Sequence, residues 1–146
     1  EDHRGEFFVF AAGYTDNMEK FLKANPGLNS RFDKVLKFED YSAVELMEIA
    51  QYMLKEQKYS LDAEAVLHLQ NYFAYIYDHR DKYFGNARTV RNVITETIKN
   101  QNIRLADLED SDVVEDSLIT LADVSKFKLD KSGFVFNKRG IGFGKK

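Results

Sequence analysis

Three clusters in the sequence contain side chains that could bind phosphate. In the first, Gly13 and Tyr14 follow a short apolar run, residues 6–12. Ligands of open α/β sheets lie beyond the carboxyl ends of the strands, so both residues could face a bound phosphate. On the residues alone, a tight turn that uses the conformational freedom of Gly13 is the favoured interpretation.

The second cluster, residues 25–32, places Arg31 between a small polar residue and an aromatic one. A guanidinium group stays charged, and its planar fork of N–H groups matches phosphate oxygens. Spacing alone favours an ordinary solvated arginine at this position.

The third cluster, residues 85–92, contains Arg88 and Arg91 in a segment where Asn86 is expected to cap a helix. A helix N-terminus attracts anions, so an unpaired cation there costs about 0.3–1 kcal/mol. Arg88 therefore indicates a nearby anion. The alternative, equally favoured on the residues, is that both arginines pair with acids of a neighbouring helix.

Two parts of a nucleotide-hydrolysing site are missing from the sequence. It contains neither a Gly-x-x-x-x-Gly-Lys-Ser/Thr loop to hold phosphates nor an apolar strand that ends in Asp-Glu to hold Mg²⁺. The glycines at 140, 142 and 144 are not expected to form a phosphate-binding loop, because the sequence predicts neither a strand before them nor a helix after them. These 146 residues alone are therefore not expected to hydrolyse ATP.

The first 40 residues are expected to form a strand, a helix and a second strand. Residues 6–12 form a continuous apolar run, typical of a strand buried on both faces. Residues 34–38 mix charged and apolar side chains in a pattern that we interpret as the second strand. Thr15 or Asp16 is expected to cap a helix that ends before residues 25–27, and residues 28–32 form a turn. Few other strands are expected, so most of the sheet that contains these two strands should lie outside this chain. The chain does not begin with Met, as expected for part of a longer protein.

Three helices are then predicted, over about 42–58, 61–78 and 86–105, and short connections make them a small bundle. Ser42 and Glu45 have the spacing of a capping box. Residues 107–116 hold six acids and no base, which predicts a solvated linker. Two further expectations are a short helix capped by Thr120 with Asp123 and an exposed, Gly- and Lys-rich tail over 137–146.

Composition excludes several classes of function. The formal net charge of -3 argues against a nucleic-acid binder, and the absence of cysteine excludes disulfides and thiolate metal sites. No apolar run is long enough to span a membrane. The three histidines, His3, His68 and His79, are not at metal-ligand spacing, and the acids at 107–116 lack the order of a Ca²⁺ loop.

The clusters taken in order resemble the AAA+ ATPase family, in particular its branch that contains stage V sporulation protein K and the red-type Rubisco activase. The resemblance covers about residues 1–105. It depends on the succession of spaced motifs, which are residues 1–4, 8–14, 16–18, 25–28, 30–32, 38–42 and 85–88.

The resemblance implies a role for each candidate residue. Arg31 matches the arginine finger, which reaches the nucleotide of a neighbouring subunit and is worth about 10³–10⁵ in rate. Arg88 matches sensor 2, which contacts phosphates in its own subunit, and Arg91 is a further candidate on the same helix face. Gly13 and Tyr14 match the sensor 1 region, although many members of the wider family have Asn or Thr where this chain has Tyr14.

The implied fold is mainly α: a helical-bundle lid, residues 41–106, follows a two-strand remnant of the α/β nucleotide-binding domain, residues 1–40. Residues 107–146 are then an acidic linker, a short helix and a basic tail. The implied parent protein is a cytoplasmic ring of identical subunits, expected to be a hexamer, which uses ATP and Mg to remodel an unidentified protein client. A non-enzymatic helical interaction module is the alternative, and an ATPase acting on DNA is a third, disfavoured by the near-neutral charge.

Overall fold

The computed structural model describes residues 8–81, 84–107 and 116–130. The chain forms two compact units, Glu1–Glu39 and Asp40–Lys146. The helices of the described ranges are α1 (Thr15–Ala24), α2 (Pro26–Asn29), α3 (Ala43–Glu56), α4 (Ala63–Asp78), α5 (Ala87–Ala106) and α6 (Leu121–Val124), and the strands are β1 (Ser60–Leu61) and β2 (Leu118–Ile119).

Both strands predicted in the first unit are wrong for the residues that the structure describes. Residues 8–12 and 34–38 have no strand pairing, and Phe8, Phe10 and Phe38 are 89%, 92% and 91% exposed. A strand is stabilised only when its backbone groups pair with a neighbour and its apolar face is covered. No described residue supplies either to these segments. Residues 6 and 7 of the first predicted strand lie outside the described part.

The helix of the first unit begins earlier than predicted. α1 starts at Thr15 after Tyr14, so Thr15 and Asp16 lie in the first turn and neither caps the helix as expected. The predicted stop is confirmed, because Asn25 ends α1 and donates from Nδ2 to the carbonyl of Phe21 at 2.9 Å. Proline at the first helical position then starts α2, where its missing N–H costs nothing.

The bundle predicted for the second unit is confirmed. Ser42 and Glu45 form the capping box of α3: Ser42 N donates to the Glu45 carboxylate at 2.8 Å, and Glu45 N donates to Ser42 Oγ at 3.3 Å. Asp62 caps α4 by accepting from the backbone N–H of Ala65. The core joins the apolar faces of α3, α4 and α5, and its fully buried side chains include Leu46, Leu54, Leu69, Phe73, Ile76, Val90, Val93 and Ile94.

The helical unit continues beyond residue 106, where the lid was expected to end. β2 pairs in parallel with β1, and α6 packs against α4 and α5 with its predicted Thr120–Asp123 capping box in place. Ile119 and Val124 are fully buried. Residues 108–115 of the predicted acidic linker and the tail at 137–146 lie outside the described residues.

Polar side chains of α5 hold this returning segment. Gln101 donates from Nε2 to the carbonyls of Asp116 and Leu118 at 2.9 and 3.1 Å, and Asn100 donates to the carbonyl of Asp123 at 2.9 Å. Arg104 makes two bonds to the Asp123 carboxylate, from Nε at 2.8 Å and from a terminal nitrogen at 3.0 Å. The Asp123 side chain is 1% exposed, so this ion pair is largely desolvated.

The environment of Asp123 lowers its pKa. Burial alone raises the pKa of a carboxyl group, but hydrogen bonds from Arg104 and from the backbone of Thr120, together with the guanidinium charge, outweigh burial. The carboxylate therefore stabilises the fold above the ordinary aspartate pKa of about 4, and this contribution is lost as the pH falls through the lower pKa of the folded state.

We expect Asp123→Ala to lower the free energy of unfolding by about 3 kcal/mol at pH 7, near the low end for a buried ion pair because a quarter of the Arg104 side chain is exposed. The loss should shrink as the pH falls below about 4. Urea unfolding followed by circular dichroism would measure it. The exposed pair Glu96–Lys99 is the control, and Glu96→Ala should cost less than about 1 kcal/mol. Equal effects of the two substitutions would contradict this account of Asp123.

Candidate functional site

The first turn of α5 presents a cation that has no partner among the described residues. Arg88 lies in that turn, Arg91 follows three residues later, and both side chains are exposed. In the described part of the chain neither guanidinium forms a hydrogen bond or an ion pair, and the first turn contains no acidic residue. The described residues therefore do not support the alternative, in which both arginines pair with acids of a neighbouring helix.

Asn86 precedes this turn in an unusual backbone conformation. It occupies the predicted N-cap position with φ 49° and ψ -126°, but its side chain does not cap the helix. Its Oδ1 instead accepts from the backbone N–H of Tyr41 at 2.9 Å, and its Nδ2 donates to Asp40 Oδ1 at 2.6 Å. The predicted cap bond is wrong, because partners 45 and 46 residues away compete for the side chain.

Asp40 is held from its other side by Arg80. The Nε of Arg80 donates to Asp40 Oδ2 at 3.2 Å, and a terminal nitrogen of Arg80 donates to the carbonyl of Tyr77 at 2.6 Å. The guanidinium carbon also lies 3.8 Å from the centroid of the Tyr77 ring. These contacts join the segment before α3 to the end of α4 and the start of α5.

Gly85 fits closely against the same turn. A Cβ atom at this position would lie 2.7 Å from Thr89 Oγ1, too close for an ordinary contact. The carbonyl of Gly85 accepts from the backbone N–H of Arg88 at 2.9 Å. A larger residue where the chain enters α5 would therefore force the Thr89 side chain to move.

Arg31 belongs to the first compact unit. It follows α2, its backbone N–H donates to the carbonyl of Leu28 at 2.9 Å, and its exposed guanidinium has no partner among the described residues. Ser30 Oγ donates to the carbonyl of Gly27 at 3.3 Å and closes the same turn. The turn fixes the backbone of Arg31 and leaves its side chain in solvent.

Gly13 and Tyr14 do not follow a strand, contrary to expectation, since residues 8–12 form none. Tyr14 is the N-cap residue of α1, and its carbonyl accepts from the backbone N–H groups of Asn17 and Met18 at 3.0 and 2.9 Å. A Cβ on Gly13 would lie 3.1 Å from the Met18 sulfur, a close approach to a flexible side chain. In this chain both residues lead into α1.

Comparison with known proteins decides the family. The model of the AAA lid domain matches residues 42–132, which is more than half of the chain. The chain belongs to the AAA lid domain family. The predicted resemblance to the AAA+ ATPases is thereby confirmed, and the match extends past residue 106 to include β2 and α6, as the packing does.

Curated relatives support the same family. The AAA lid chain is 43% identical to stage V sporulation protein K of Bacillus subtilis over 72% of its own length and 33% of that protein. It is 36% identical to protein CbbX of Cereibacter sphaeroides and 35% identical to a CfxQ homolog of Guillardia theta, over 95% and 90% of the chain. The chain spans less than half the length of each, with 45% of the latter two covered.

The histidines of the lid have structural contacts. His68 Nε2 lies 2.9 Å from the carbonyl of Phe127 and ties α4 to the segment after α6, while His79 stacks on Tyr75 at 4.2 Å. His3 lies outside the described residues. The described part contains no group of three or more His, Cys, Asp or Glu side chains that could hold a metal, and none of its helices is long and apolar enough to cross a membrane.

Sequence reasoning missed Asp40 and Arg80. They are 40 residues apart, and no local spacing connects them to Asn86. The sequence does indicate that Asn86 lies at the start of a helix, because Asn is a common N-cap residue. It does not indicate which groups bind the Asn86 side chain. Only the folded chain brings these three side chains together, and Asn86 lies two residues before Arg88.

Proposed function

We propose that the protein containing this lid is a ring-forming ATPase that uses ATP hydrolysis to remodel a protein client, with Arg88 as its sensor 2. The observation that carries the proposal is an exposed guanidinium in the first turn of α5 with no partner in the described chain. A cation at this end of a helix is favourable only when an anion is bound close by.

A nucleotide phosphate suits this position chemically. The amide groups and dipole of the helix start favour negative charge, and the guanidinium fork of Arg88 donates two hydrogen bonds in the plane of the phosphate oxygens. Arg91, three residues later on the exposed face, can add a second cation. Contacts of this kind let the lid change position when the number of phosphates changes.

The remaining parts of the ATP site must come from another part of the same protein. The 146 residues contain no phosphate-binding loop and no Asp-Glu strand. In this proposal those elements hold ATP and Mg, and Gly13 and Tyr14 line the sensor 1 region near the attacking water. The phenol of Tyr14 differs from the Asn or Thr that polarises water in many AAA+ proteins, so its contribution is positional.

Arg31 serves as the arginine finger in trans. Its backbone is fixed by the turn after α2, while its solvated guanidinium is available to an adjacent subunit. A charge delivered by a neighbour stabilises the transferring phosphoryl group and makes hydrolysis depend on ring assembly. We infer identical subunits in a ring, expected to be a hexamer, in the cytoplasm.

A non-enzymatic helical interaction module is the second candidate. It is favoured by apolar side chains on the surface of the helical unit, since Val44, Tyr52 and Leu67 are 68%, 65% and 59% exposed. The two candidates differ in one measurement. The full-length protein hydrolyses ATP in the first case and does not in the second.

For sensor 2, we expect Arg88→Ala in the full-length protein to weaken ATP binding by about tenfold, the value of one charge-assisted hydrogen bond of roughly 1.5 kcal/mol. Titration with a fluorescent ATP analogue would measure the Kd. Lys99→Ala, an exposed base on the same helix, is the control and should leave the Kd unchanged. Unchanged affinity and turnover in Arg88→Ala would refute the sensor role.

For the finger, we expect Arg31→Ala to slow ATP turnover by about 10³-fold while the Kd for ATP stays nearly constant. Lys34→Ala, an exposed base in the same unit, is the control. Mixing Arg31→Ala subunits with subunits whose phosphate-binding loop is disabled should restore part of the turnover, because the second kind supplies the finger to the first. Normal turnover in Arg31→Ala, or no recovery on mixing, would be incompatible with a finger in trans.

A further inference from the structure

The conformation of Asn86 is costly for the residue that occupies it. A φ of 49° with a ψ of -126° is readily adopted by glycine, whereas a residue with a Cβ is strained there. Asparagine at this position must therefore contribute something that glycine cannot. Its side chain uses both of its ends, the oxygen on Tyr41 N and the nitrogen on Asp40.

The bonds around Asn86 contribute little to folding stability. The side chains of Asp40 and Arg80 are 41% and 32% exposed, and an ion pair in contact with water is screened and weak. Each of the two side chains nevertheless has more than one partner: Arg80 contacts the carbonyl and ring of Tyr77, and Asp40 accepts from both Arg80 and Asn86. The network is thus more ordered than its effect on stability requires.

The network also leaves the start of α5 without a side-chain cap. An asparagine at the N-cap ordinarily accepts from an amide of the first turn and satisfies it internally. Here the Oδ1 of Asn86 is bound to Tyr41 instead, and α5 has no side-chain cap bond. The N–H of Arg88 donates to the carbonyl of Gly85, but no described side chain accepts from an amide of the first turn, so the turn still favours an external anion two residues from the network.

We infer that Asp40, Arg80 and Asn86 form a clamp that positions Arg88 for phosphate. The clamp fixes three chain segments around the first turn of α5: residues 40–41, the end of α4 and the residue before α5. It rests on the proposed sensor role of Arg88, and its members are positioning residues that do not contact the nucleotide themselves. Without the clamp, Arg88 samples more orientations and binds phosphate less tightly.

The test is Asn86→Gly in the full-length protein, because glycine adopts the same backbone conformation and removes only the side-chain bonds. We expect the Kd for a fluorescent ATP analogue to rise about five- to tenfold, the lower part of the range for coupled sites. The thermal unfolding temperature should not fall, because the strain at residue 86 is released. Asn102→Ala, at an exposed asparagine near the other end of α5, is the control and should leave the Kd unchanged.

Exchanging the two side chains gives a second test that is independent of the glycine variant. Asp40→Asn and Asn86→Asp each lose a bond of the clamp, whereas the double variant recreates it. In the double variant the carboxylate now at position 86 accepts from Tyr41 N and from the amide now at position 40, and the oxygen of that amide accepts from Arg80. Both single variants should bind the analogue more weakly. The double variant should return to within about twofold of the original protein, as expected for residues in direct contact.

The outcomes separate the clamp from the sensor. Asn86→Gly should have no further effect when added to Arg88→Ala, since both act through one guanidinium. If Arg88→Ala weakens binding but Asn86→Gly and both single exchange variants do not, the clamp is overturned and the sensor stands. The clamp is also overturned if Asn86→Gly weakens Arg88→Ala further, or if the double exchange does not recover. If Arg88→Ala itself binds normally, both proposals fail.

Discussion

The buried ion pair between Arg104 and Asp123 is the constraint on which the shape of the helical unit depends. A carboxylate that is 1% exposed is strongly destabilising unless its charge and lone pairs are satisfied. Arg104 satisfies it with two bonds, and the backbone of Thr120 adds a third at 2.8 Å. The two bonds from Arg104 cross from α5 to the returning segment, whereas the Thr120 bond lies within that segment, so the ion pair anchors α6 on α5 next to the pairing of β2 with β1.

Helix α5 divides its polar and charged residues between two tasks. Near its end, Asn100, Gln101 and Arg104 are directed to carbonyl and carboxylate groups of the returning segment, and all make internal bonds. At its start, Arg88 and Arg91 have no partner in the described chain. Since one rigid helix carries both ends, the packing that closes the unit also determines where these two guanidinium groups lie. Both guanidinium groups therefore belong to the same rigid helix as the contacts that close the unit.

Local patterns predicted the features that depend on neighbours in sequence. The capping boxes of Ser42 with Glu45 and Thr120 with Asp123 are bonds between residues three apart, so spacing alone identifies them. The apolar faces of α3, α4 and α5 were recognisable for the same reason. In the first unit the strands failed because a strand depends on a partner, and no described residue near 8–12 or 34–38 in sequence supplies one.

Buried polar groups explain why the end of the helical unit was missed. An apolar pattern places Asn100, Gln101 and Arg104 on the surface, although Gln101 is fully buried. Their burial becomes favourable only when the carbonyls of residues 116–123 accept their hydrogen bonds. The acids at 107–116 separate the two partners in sequence and suggested a linker. The segment beyond them was therefore assigned to a separate region, whereas it completes the core.

Asn86 shows the same limit at the candidate site. Its position as the residue before α5 followed from sequence, but the partners of its side chain come from 45 residues earlier in the chain. Within three residues the fold has a strained backbone at Asn86 and, at Arg88, a cation with no partner in the described part of the chain. Each is unfavourable in isolation, and neither improves the packing of the core. In the proposed clamp, an anion at the first turn of α5 stabilises the cation, and the strained conformation of Asn86 directs its side chain to Tyr41 and Asp40.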